Sequence, residues 1–395
     1  METRLVEVLA LLACVSPAAA QRVAPSPPPP PPPGWSAFVR SFDAFAVGDS
    51  VVGGSVLVLR DGRVLAHHEY GFADRALGQR VDERTIFHWA SITKTLTAVA
   101  VMQLRDRGRL SLDDRVTRYL PELAQVHDTF GAIGDITIRM LLSHSAGFQD
   151  PTWPYKAGKP WEPFEPARWE QLVAMMPYQE ILFRPGTRYG YSNPAFIYLA
   201  RIIEQLTGDP YQSYIYKNIW TPLGMTRSYF GVTPYHLTAA RANNYTLLRD
   251  SAGRVSLVAN GRDFDPGITI PNGGWNAPLG DVARWVAFLT GSSGADTVLA
   301  RASLEEMWRP PLLATRDSTA PGDSVGLSFF VLWRGGARFI GHTGHQAGFR
   351  SFFYLNPRTR GAVIAAFNTT NEADNDKSEQ GFRAVRDAAL ELILR

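Results

Sequence analysis

Phe87-His88-Trp89-Ala90-Ser91-Ile92-Thr93-Lys94 sets a serine three residues before a lysine, at the start of a segment with apolar residues at helical spacing. On a helix that spacing stacks both side chains on one face. An amine held beside a serine hydroxyl takes its proton when burial or a neighbouring charge keeps the amine partly neutral. The choice of lysine is itself informative, because Lys94, Lys156, Lys159, Lys217 and Lys377 are the only lysines among 40 basic residues. Arginine keeps its proton at working pH and a buried lysine can release it, so Lys94 suits proton transfer better than surface charge. The amphipathic pattern carries Leu96, Val99, Ala100 and Leu104, runs to about Arg107 and stops at Gly108. Ser91 is thereby placed in a first helical turn, where backbone amides converge.

Upstream of this helix, the apolar runs from Ser55 to Leu59 and from Val64 to His67 flank Asp61-Gly62, a two-residue hairpin signal. Downstream, residues 111–270 read as short helices broken by Pro and Gly, with aromatic loops at Trp153-Pro154-Tyr155 and Trp161-Glu162-Pro163-Phe164. One helix there is clearly marked, with Asn193 as N-cap, Pro194 at the first position and Gly208 past the end. Strands return at 327–333 and 337–340 around Gly335-Gly336, then at 351–355 and 362–367, before a closing helix from about Glu379 to Leu394. Strands at both ends with helices between predict an α+β fold: an antiparallel sheet flanked by helices, built from both chain termini, with an inserted, mostly helical subdomain. The expected organisation is sheet from about 35–110 and 270–395, and helical insertion from about 111–270.

The 395 residues are 45% hydrophobic, enough for a large core, and 40 basic against 37 acidic residues give a net charge of +3 spread along the chain. No charge block marks a nucleic-acid or membrane surface. Residues 1–20 have the layout of a cleavable secretory signal: Arg4, an apolar stretch from Val8 to Val15, then Ala18-Ala19-Ala20. Residues 21–34 form a proline-rich linker, with an unbroken run from Pro27 to Pro33. Cys14, the single cysteine, closes Leu11-Leu12-Ala13-Cys14, which loosely resembles a lipoprotein acylation site, but Leu12 fits that pattern poorly, so anchoring ranks below plain export to the periplasm or exterior. No later apolar run is long enough to span a bilayer.

Two further motifs bear on chemistry. Tyr191-Ser192-Asn193 follows the turn from Pro185 to Gly190 and precedes the capped helix, a setting that separates it from the matching Tyr216-Lys217-Asn218 and Tyr354-Leu355-Asn356. His342-Thr343-Gly344 lies between the last two hairpins, where a strand presents polar side chains to a cleft. His342 and His345 lack a third ligand at metal-site spacing, so no metal and no cofactor are expected.

In this order, the three motifs resemble the penicillin-binding and β-lactamase-related serine hydrolases, the group of class C β-lactamases, DD-peptidases and family VIII esterases. The stretches Leu141 to Gly147, Pro222 to Met225 and Gly341 to Phe349 support the resemblance, which covers residues 35–395 as one catalytic domain. It implies that Ser91 is the nucleophile, Lys94 its activating neighbour and Tyr191 a phenolic acid/base. A phenol with a reference pKa of ~10 acts as a base only when a cation such as Lys94 stabilises its phenolate. The resemblance also implies that Asn193 holds substrate and lysine, that His342, Thr343 and Gly344 line the substrate site, and that the amides of Ser91 and His345 form an oxyanion hole. Such a donor contributes about 3 kcal/mol of transition-state stabilisation.

Two residues depart from the family pattern. His342 stands where β-lactamases usually carry lysine, which removes a fixed cation for a substrate carboxylate, a role Arg350 then has to supply. His345 replaces a usually small residue and is expected to crowd the cleft. These departures favour a peptidase or esterase acting on a small molecule, peptide or ester through an acyl-enzyme, with weak or no β-lactamase activity. The rival reading is a penicillin-recognising sensor that acylates without turnover.

Overall fold

The structure, a computed structural model, describes residues 29–148, 166–263, 265–294, 297–310, 323–346 and 348–394. The signal-like segment, the first two residues of the proline run and the aromatic loops at Trp153 and Trp161 lie outside the described residues.

Helix α1 (Trp35–Gly48) leads into strands β1 (Gly53–Arg60) and β2 (Arg63–Asp74). Their two-residue turn has Asp61 and Gly62 both at positive φ, 51° and 72°, whose twist matches that of the paired strands. Strand β3 (Gln79–Arg80) follows on the same edge, and β4 (Ile86–His88) leads to helix α2 (Thr93–Asp106). In the middle of the chain lie β5 (Tyr229–Phe230), β6 (Asn244–Arg249), β7 (Val255–Gly261) and β8 (Trp275–Pro278). The C-terminal part adds β9 (Ser324–Val325), β10 (Phe330–Arg334), β11 (Ala337–Gln346), β12 (Phe349–Asn356), β13 (Gly361–Phe367) and β14 (Thr369–Asn371). A terminal helix, Asn375–Glu391, closes the chain.

The main sheet runs β3-β2-β1-β13-β12-β11-β10-β9, so β1 and β13 join the two ends of the chain, antiparallel, with Val58 opposite Val363. Both faces are covered. Val56, Val58, Val363, Ala365 and Phe367 pack with Phe38 and Phe42 of α1 and with Phe382 of the terminal helix. Leu57, Leu59, Ile364 and Ala366 point the other way, into the larger core that surrounds α2. Alternate side chains of one strand thus serve two layers, which explains the uninterrupted apolar runs.

Two features differ from the sequence reading. Residues 229–261 carry strands as well as helices, contributing to two small sheets, β4-β8-β5 and β14-β6-β7. Strand β7 is almost wholly exposed and shows no apolar alternation, so periodicity gives no signal there. Helix α2 is also not amphipathic in its surroundings, because every residue from Thr93 to Leu104 is buried. Its threonines satisfy their hydroxyls locally or across the core: Thr95 donates to Ile92 O and Thr97 to Pro271 O.

Candidate active site

A short 3-10 turn, Ala90–Ile92, precedes α2 and carries Ser91. Ala90 has a φ of 47°, a left-handed conformation that costs a residue with a Cβ and persists only where its surroundings enforce it. The enforcing contacts are on both sides. Trp89 N donates to Trp275 O at 2.8 Å, and Thr93 Oγ1 donates to Ala90 O at 2.6 Å while accepting from Trp275 N at 3.0 Å.

One turn on, Lys94 is 0% exposed. Its Nζ donates to Ser91 Oγ at 3.2 Å, Asn193 Oδ1 at 2.7 Å and Asn272 O at 2.7 Å. Three acceptors match the three donors of an ammonium group. The same Nζ lies 4.9 Å from the Tyr191 ring centroid and 5.5 Å from that of Phe196. Lys94 thus brings Ser91, Tyr191 and Asn193 into one cluster.

Asn193 occupies the N-cap position of the helix Pro194–Thr207, yet its side chain makes no capping bond. Its amide oxygen goes to Lys94 and to Asn272 Nδ2 at 3.1 Å, while Ser192 Oγ accepts from Ala195 N at 3.4 Å. The cap signal marked the right residue for a different use.

His144 stacks on Tyr191 with centroids 4.4 Å apart and planes at 22°. Its Nδ1 accepts from Ser192 N at 3.0 Å, which puts the imidazole proton on Nε2. Burial, then the charge of Lys94, lowers its pKa well below the usual value. His144 holds both the ring and the backbone of the Tyr191 segment.

The third motif lies on β11, whose residues 342–346 pair with β12 on one side and extend past β10 on the other. Gly344 lets this strand lie against the Ser91 turn, since a Cβ there would sit 2.3 Å from Trp89 O. His342 is buried, stacks on Phe330 at 4.5 Å and turns Nδ1 toward Thr343 O at 2.5 Å. Burial and then Lys94 lower its pKa to about 3, so the imidazole is neutral at physiological pH.

Thr343 and His345 point to the opposite strand face. They line a small cavity with Arg350, Glu379 and Arg383, beneath the terminal helix. The expectation that the His345 side chain crowds the cleft is therefore corrected: only its backbone belongs to the cleft side of β11. Arg350 is 3% exposed and committed as well, donating to Ser378 Oγ at 2.9 Å and to Glu379. Among the described residues no cluster of three His, Cys, Asp or Glu side chains is arranged to hold a metal.

The profile of the Beta-lactamase family matches residues 38–388, nearly the whole chain. This chain belongs to the beta-lactamase family. The family is one of serine hydrolases. Over 177 residues, the chain is 31% identical to "Penicillin-binding protein 4*" of Bacillus subtilis (strain 168), covering 44% of this chain and 37% of that protein. It is 29% identical over 209 residues to a "Putative D-alanyl-D-alanine carboxypeptidase" of Escherichia coli (strain K12), covering 49% and 47%. The chain thus spans less than half the length of these two relatives. The solved D-amino acid amidase of Ochrobactrum anthropi SV3 superposes with a TM-score of 0.72 at 21% identity, covering 91% of this chain and 98% of that one. That likeness shows the shared fold.

Sequence reasoning missed Asn272. It contributes a backbone carbonyl to Lys94, and no side-chain pattern encodes such a contact. Among the described residues no helix is long and apolar enough to cross a membrane.

Proposed function

We propose that the protein is an exported serine hydrolase that forms an acyl-enzyme at Ser91 on an ester or amide substrate that carries no required carboxylate. The observation that carries this reading is the buried Lys94 amine, 3.2 Å from Ser91 Oγ and anchored by Asn193 and Asn272. The order of events follows from the groups present. Ser91 Oγ forms a bond to the substrate carbonyl carbon as its proton passes to the Tyr191 phenolate, which the Lys94 ammonium stabilises. The amides of Ser91 and His345 receive the developing oxyanion, and the leaving alcohol or amine departs with a proton returned by Tyr191. Water then repeats the sequence on the acyl-enzyme.

The substrate preference rests on two cations that are not on offer. Neutral His342 supplies no fixed charge, and Arg350 already serves Glu379 and Ser378. A carboxylate entering the cleft lacks both expected partners, whereas a neutral ester is not penalised. The relatives named for penicillin binding and carboxypeptidase activity support acyl transfer in general. The signal-like residues 1–20 support export, and the sheet shared by both chain ends supports treating 35–395 as one catalytic unit.

The test is turnover of p-nitrophenyl acetate and butyrate, nitrocefin and a D-Ala-D-Ala peptide by wild type and Ser91→Ala. Ester turnover lost in Ser91→Ala, with nitrocefin turned over more slowly, is the expected result. Equal ester turnover in the two proteins contradicts the proposal. A stable acyl adduct without product release points to the penicillin-recognising sensor instead.

A further inference from the structure

We propose that His88 is a positioning residue that fixes the end of β11 against the Ser91 turn, acting through Gln346 and Asn276. The inference rests on the reading of Ser91 as nucleophile and of the His345 amide as an oxyanion donor.

His88 lies three residues before Ser91 on β4 and is 0% exposed. Its Nδ1 faces Asn276 Oδ1 at 2.9 Å, and its Nε2 faces Gln346 Oε1 at 3.3 Å. Asn276 is its cross-strand partner on β8, just past the turn that delivers Asn272 O to Lys94. Gln346 follows His345 directly. The imidazole, three residues before the nucleophile in the chain, therefore bridges the segment that holds the lysine and the strand that supplies the second oxyanion amide.

The surroundings are built for this contact. At Gly273 a Cβ would lie 2.4 Å from Gln346 Oε1, so the glycine makes room for the amide. Asn276 Nδ2 donates to Gly274 O at 3.2 Å, which orients the other amide. Burial, then the charge of Arg241, lowers the His88 pKa to about 4 and keeps the ring neutral. A neutral ring carries one N–H, so it donates to one amide oxygen and accepts from the other amide's NH2 once that amide turns about its axis. A second clamp lies at Trp89 O, which Ser351 Oγ meets at 3.3 Å beside Gly344. Ser351 is on β12, opposite Gly344, so that clamp holds the β11–β12 pair, and His88 adds the contact to the end of β11 itself.

The experiment compares wild type, His88→Phe, His88→Gln, Gln346→Leu and the His88→Phe/Gln346→Leu double variant. It reads ester kcat and KM, the rate of fluorophosphonate inactivation, and the thermal midpoint. His88→Phe is expected to lower kcat and the inactivation rate roughly 10- to 100-fold with KM little changed, because misplacement of an oxyanion donor acts on the transition state. Gln346→Leu is expected to produce a loss of similar size, the double variant to add little to it, and His88→Gln to recover part of it. Gln346 is only half-buried, so Gln346→Leu keeps the test readable where His88→Phe fails to fold. Unchanged kcat in a folded His88→Phe or Gln346→Leu, or losses that multiply in the double variant, overturn the inference. Wild type that resists the fluorophosphonate overturns the proposed function instead.

Discussion

Lys94 and Arg350 are both buried cations, one in the core around α2 and the other beneath the terminal helix, and they are held in opposite ways. Arg350 lies against the carboxylate of Glu379, the hydroxyl of Ser378 and the face of Phe382, 4.4 Å away. Lys94 is held by the oxygens of a serine, an asparagine side chain and a peptide group. A carboxylate cancels its partner's field, whereas neutral dipoles leave much of it in place. The consequence is visible in the neighbours: Lys94 lowers the pKa of both His144 and His342. One cation holds two elements together, and the other charges a cleft.

The largest expected effect breaks this contrast at Lys94. Lys94→Met should lower ester kcat/KM about 1,000-fold or more while leaving the thermal midpoint within a few degrees of wild type, since losing the amine also removes a desolvation cost. Steady-state kinetics beside calorimetry checks both halves. Next comes Gly344→Ala, whose Cβ meets Trp89 O and forces β11 off the Ser91 turn; a kcat loss of about 100-fold is expected. Arg350→Leu should do the reverse of Lys94→Met. Kinetic constants stay within a few-fold, while urea unfolding shows a loss of about 2 kcal/mol, limited because Glu379 is half-buried and keeps Arg383.

The remaining prediction is a pH dependence of stability. Burial lowers the pKa of His88 to about 4 and of His342 to about 3, with His144 also well below its usual value. The unfolded chain binds protons at these sites below about 6.5. Their contribution is therefore complete above pH 6.5 and is lost as pH falls from there toward 3. Unfolding midpoints at pH 7 and pH 5 should show the decline, and His88→Phe should flatten it. An equally steep decline in a folded His88→Phe assigns the loss to other groups.

Much of this is legible in the sequence. The hairpin at Asp61-Gly62 and the joining of both chain ends in one sheet follow from patterns that local physics writes into sequence, whereas the meeting of Ser91 and Lys94 with Tyr191 and Asn193 was implied by the family resemblance. Three things were hidden for physical reasons. The Asn272 carbonyl is backbone, common to every residue. The direction of His345 depends on strand register, where a shift of one residue reverses every side chain. The neutrality of His342 depends on burial, which neighbouring sequence does not reveal.

The most direct test of the central claim is intact mass and peptide mapping after fluorophosphonate treatment of wild type and Ser91→Ala. The account predicts one adduct on wild type, on the peptide that carries Ser91, and none on Ser91→Ala. An adduct that persists on Ser91→Ala, or a wild type that stays unlabelled, contradicts it.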